Sequence, residues 1–171
     1  MKKIELVWNI VHYFVYRADY KAHLLFNKIN PLMLIHKLPF QKKIYEKRGI
    51  NVMDDLNTAF KNPEYGISSM RAGGMMFILC ALLAFSSFCL LVSLYKHYLS
   101  GVLIFILCIP FGFLNFYFLF YKDKYLAYFK VFEQKPALWR KRWKWISLGM
   151  ILLILILLVG SVNLMTYRLH H

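Results

Sequence analysis

The sequence predicts an all-α integral membrane protein. It has three transmembrane helices, an N-terminal amphipathic helical arm in the cytoplasm, and a helical cytoplasmic hairpin between the second and third spans. Three observations predict it. The chain is 60% hydrophobic with a mean hydropathy of +0.47, above the roughly 45–50% apolar content of soluble domains. The excess is clustered: no Asp, Glu, Lys or Arg falls within residues 72–95, 97–121 or 145–167, and the next longest uncharged stretch is only 6–16. A helix needs about 20 apolar residues to cross a hydrocarbon core of roughly 30 Å, so three stretches qualify and the fourth does not. Lastly, the basic residues are unevenly placed. Twelve precede the first span, Lys96 is alone in the first loop, eight lie in 122–144, and Arg168 is in the tail.

Element by element, residues 3–29 read as an amphipathic helix. Ile4, Val7, Trp8, Val11, Phe14, Val15, Ala18, Ala22, Leu25, Phe26 and Ile29 share one arc of about 120° on a helical wheel. Glu5, His12, Tyr16, Asp19 and His23 lie opposite or beside it, and Lys3, Arg17, Lys21 and Lys28 follow one border. Such a helix lies on a membrane surface or docks on a partner. Lys2 and Lys3 before an uncharged stretch weakly mimic a signal peptide. Arg17-Ala18-Asp19 is no small-residue cleavage site, so the N-terminus is expected to be retained. Asn30-Pro31 ends the helix. An apolar turn (32–38), a basic helix (40–48) stopped by Gly49, and a helix over 52–61 capped by Asn51 follow. Asn62-Pro63 and Gly66 form a turn, and Ser68 or Ser69 is expected to cap the first span.

Residues 1–70 thus form the arm and 71–171 the membrane domain, with spans over about 73–95, 101–121 and 145–167. The short connection near Lys96–Ser100 makes the first two spans antiparallel neighbours. Pro110 is expected to kink the second. The recurrence of Tyr125, Tyr128, Phe129 and Phe132 predicts that this helix projects to about Gln134, and Pro136 opens the third helix.

The positive-inside rule places the arm and the 122–144 loop in the cytoplasm and the C-terminus outside, which in a bacterium would make this a protein of the cytoplasmic membrane. Trp139, Trp143 and Trp145, interleaved with Arg140, Lys141 and Arg142, read as interfacial anchors to anionic head groups rather than a grip on nucleic acid. Gly73, Gly74, Ala81, Gly149 and Gly160, with Pro110 and Asn115, read as helix-packing positions. Asn163 lies near the end of the third span.

Chemistry is sparse. Cys80, Cys89 and Cys108 all fall inside spans and give no disulfide framework. Asp19 and His23, at i and i+4, are the nearest approach to a metal pair, but zinc uses three or four protein ligands, and His12 lies about 10.5 Å up the helix from Asp19. There is no phosphate loop, HExxH or GxSxG, and no ionisable group inside a span to run a coupled transporter. No cofactor and no enzymatic activity are expected. The leading expectation is an accessory or scaffold subunit of a membrane assembly of the secretion or conjugation type, acting through a protein partner or as a homo-oligomer. An immunity protein neutralising a toxin is the second expectation. A small lipid-active enzyme or transporter using Asp19, His23 or Asn115 is the third.

Overall fold

In the computed structural model, residues 2–36, 38–49, 51–95 and 100–170 are described. Among them every regular element is helical: α1 (Lys2–Ile29), α2 (Pro31–His36), α3 (Pro39–Lys47), α4 (Val52–Lys61), α5 (Ile67–Tyr95), α6 (Val102–Asn115), α7 (Lys124–Glu133) and α8 (Ala137–His170). A π-helical turn, Phe116–Phe120, and a 3₁₀ turn, Tyr121–Asp123, join α6 to α7.

Three helical stretches are long and apolar enough to cross a membrane: α5, the run from Val102 to Glu133, and α8. Helices are what an uncharged stretch must form in lipid, where each backbone N–H and C=O needs a partner within the segment. The connection at 96–99, including Lys96, lies outside the described residues.

The chain divides into two compact units, residues 14–73 and residues 1–13 with 74–171. The division therefore falls inside α1 and inside α5.

In the 14–73 unit, local signals place most ends. Asn30 and Pro31 stop α1, and Asn51 Oδ1 accepts the Asp54 N–H at 3.4 Å to cap α4. Gly49 takes φ +64, a left-handed conformation free of side-chain cost only in glycine, and its N–H returns to the Glu46 carbonyl. His36 Nδ1 meets the Tyr45 hydroxyl at 2.8 Å and ties α2 to α3. Neither Ser68 nor Ser69 caps the first span. The helix starts earlier, at Ile67, and the Gly66 carbonyl receives the N–H of Ser69 and of Met70. A Cβ on Gly66 would stand 2.1 Å from the Asn62 carbonyl oxygen, so only glycine closes this turn.

In the other unit, α6 runs through Pro110 without ending there. The projected continuous helix to Gln134 is not formed. It breaks at Lys122 and Asp123, which adopt φ 57 and φ 51, and restarts as α7. Two left-handed residues redirect the chain where the uncharged stretch ends. At Gly74, Gly149 and Gly160 an added Cβ would meet nothing within 4 Å among the described residues. Ala81 and Pro110 are exposed too, whereas Gly73 is buried. The face of α8 that is buried is instead Ser147, Ile154 and Ser161, spaced seven residues apart.

Candidate functional site

The face of α1 that packs is not its apolar arc. Asn9, Ile10, Val11, His12, Tyr13 and Tyr16 are buried, whereas Ile4, Ala18, Ala22, Leu25, Phe26 and Ile29 are exposed. Of the remaining arc, Val7, Trp8, Phe14 and Val15 are half-buried. The polar residues opposite the arc are therefore not a solvated face. In the unit of residues 1–13 and 74–171, Glu5, Trp8, Asn9 and His12 form a polar and aromatic seam.

The seam answers the break between α6 and α7. A helix end leaves carbonyls without intrahelical donors, and Phe118 lies in the last turn before the break. Asn9 Nδ2 donates to the Phe118 carbonyl at 3.0 Å and to the Glu5 carbonyl at 2.9 Å, using both its hydrogens. Trp8 Nε1–H donates to Asn115 Oδ1 at 2.8 Å, 107 residues away. Lys124 Nζ donates to Glu5 Oε2 and the Tyr128 hydroxyl to Glu5 Oε1, both at 3.3 Å. Lys124 also lies 4.1 Å from the Tyr117 ring centroid.

Behind these bonds His12 is fully enclosed, with ring centroids of Phe129, Tyr125 and Phe120 at 5.1, 5.4 and 6.2 Å. Neither of its ring nitrogens has a hydrogen-bond partner, and burial holds its pKa down at about 4. It is neutral at pH 7. Tyr13 extends the cluster to Phe129 and Phe132, and Phe132 lies tilted against Trp139, which meets Trp143. Trp139 and Trp143 are half-buried, while Trp145, Lys141 and Arg142 are exposed and Arg140 is half-exposed.

Asn115, singled out from the sequence, is thus brought into the seam. Glu5, Trp8, Asn9 and His12 are functional to it in ways that the wheel missed. Their signal was present as a run of polar and aromatic residues at helical spacing, 5-8-9-12-13, which also marks a packed face.

In the 14–73 unit, Asp19 Oδ1 lies 3.4 Å from Arg71 Nε. His23 stacks flat on Phe60, centroids 3.5 Å apart, and its Nε2 meets Asn27 Nδ2 at 2.9 Å. Burial lowers the His23 pKa, against the opposing pull of a hydrogen bond with Asn57 and of the Asp19 charge. Tyr16 donates its hydroxyl to the Lys61 carbonyl. Among the described residues no three His, Cys, Asp or Glu side chains gather as a metal site would need. Two grooves flank this part of α1. One, of about 410 Å³, holds Asp19, His23, Phe60 and Arg71. The other, of about 490 Å³, lies between α1 and α4.

Comparison with protein-family models, with curated proteins and with solved structures finds no match.

Proposed function

We propose that the chain is a non-enzymatic membrane subunit that acts by protein–protein contact, as an accessory or scaffold component of a larger membrane assembly. The observation that carries this reading is a contrast. Glu5 bonds to Lys124 and Tyr128, Asn9 to a helix-end carbonyl and Asn115 to Trp8, so these seam groups find partners within the chain. The apolar helices, by comparison, are left open. Only 17% of the most hydrophobic window of the second and third candidate spans is buried by the chain itself. Without a hydrophobic drive between helices in lipid, such faces pair through shape and small residues, and Gly149 and Gly160 stand open on α8.

The arm and the 122–144 segment face the cytoplasm in this reading and the C-terminus faces outward, because eight basic residues sit in that segment. Trp145, Arg142 and Lys141 lie among anionic head groups at its membrane end.

The test is photo-cross-linking in native membranes from Phe105 and Ile109 on α6 and Ile156 and Val159 on α8, all well exposed. Protein adducts of discrete mass are expected from at least one helix, and an adduct of twice the chain's mass identifies a second copy as the partner. Lipid adducts alone at all four positions would sink the proposal.

A further inference from the structure

The groove of about 490 Å³ between α1 and α4 has the volume of a small-molecule site and an unusual division of chemistry. Leu24, Leu25 and Met53 supply an apolar lining, with Asn27 and Asn57 beside them. Lys21 and Lys28 stand at the same groove, seven residues and therefore two turns apart on one face of α1. Both lysines are exposed, and neither is ion-paired among the described residues. Acidic partners that α4 offers, Asp54 and Asp55, do not line the groove. An apolar trough with two uncompensated cations along it is complementary to an anionic amphiphile.

The same compact unit contains the first residues of α5, a helix that meets the length and composition of a membrane span. Beside the groove Phe26 and Ile29 of α1 are 66% and 74% exposed. An apolar helix face bordered by lysines is the pattern of an element lying in the head-group region. A folded segment tethered to a span and carrying this pattern has lipid as its nearest abundant anionic amphiphile.

We infer that the α1–α4 groove binds one anionic phospholipid, with an acyl chain against Leu24, Leu25 and Met53 and the phosphate held between Lys21 and Lys28. A basic residue at an anionic lipid surface favours binding by about a factor of five, so the two lysines give a clear preference over zwitterionic lipid.

The experiment places a diazirine amino acid at Met53 of the full chain, reconstituted in nanodiscs of phosphatidylcholine with one-third phosphatidylglycerol, and identifies the cross-linked lipid by mass. Lipid adducts enriched at least about fivefold in phosphatidylglycerol over the bulk ratio are expected. Lys21→Gln with Lys28→Gln should return the adducts to bulk composition. Lys42→Gln with Lys43→Gln, lysines on α3 outside the groove, should leave the enrichment intact. Adducts at bulk composition in the unaltered chain, or enrichment unmoved by the Lys21 and Lys28 changes, overturn the site. So do no lipid adducts at all, or, in native membranes, adducts to a polypeptide. The site rests on the chain spanning a membrane; retention of the protein in nanodiscs without lipid at Met53 fails the groove alone.

Discussion

His12 carries the largest unsatisfied cost of any single residue in the seam. Its two ring nitrogens are enclosed and unpartnered, and each such group costs on the order of 1–3 kcal/mol. Replacing it with Leu removes both groups while keeping apolar contact with Tyr125 and Phe129, so His12→Leu is expected to raise the melting temperature of the purified protein by several degrees. The pH dependence follows from the same enclosure. The folded pKa is about 4, below the ordinary 6.5, so the unfolded chain binds the proton first. The packing of this residue is therefore fully stabilising above pH 6.5 and is lost progressively as the pH falls toward 4. The 2.5-unit difference corresponds to about 3 kcal/mol. Melting curves at pH 7.5 and 4.5 should differ by much less in His12→Leu than in the unaltered protein; an equal acid loss in both would remove His12 as the cause.

Among the elements, the connection between α6 and α7 departs furthest from simple helical continuation. Non-glycine residues in the left-handed region cost roughly 1–2 kcal/mol each, and a branched Cβ raises the cost. Lys122 is exposed and holds φ 57 without any structural role for its own ammonium beyond a 5.5 Å approach to Tyr121. Lys122→Val is expected to destabilise the protein by more than about 1 kcal/mol, and Lys122→Asn, which tolerates this backbone, to be neutral or better. Denaturation in detergent followed by circular dichroism distinguishes them. Equal behaviour of the two variants would mean that the break is not held in solution. The break is also what presents the Phe118 carbonyl to Asn9 and lets Lys124 meet Glu5, so α1 and the α6–α7 turn depend on each other.

For the whole molecule, the testable quantity is the number of crossings. Three spans put the two ends of the chain on opposite sides of the bilayer. Tags at each end are expected to be accessible from opposite faces of right-side-out and inverted vesicles, with the N-terminal tag cytoplasmic, and the protein should stay in the pellet after alkaline extraction. Both tags on one face would require an even number of crossings. It would leave one of α5, the 102–133 run or α8 outside the hydrocarbon layer.

By itself the sequence determined the three membrane-length helices and the ends of α1, α3 and α4. The reason is locality. An uncharged stretch carries its own preference for lipid and must hydrogen-bond within itself, and Pro31, Asn51 and Gly49 act on their own turns. The tertiary structure decided which face of α1 is buried, where the second helix breaks, and what Asn115 bonds to. A wheel averages polarity over a face and favours burying the apolar arc, but Asn9 and Trp8 gain partners over 100 residues away that no periodicity can name. Around His12, hydrogen bonds to a broken helix end and an aromatic cluster outweighed the apolar arc as the basis of burial.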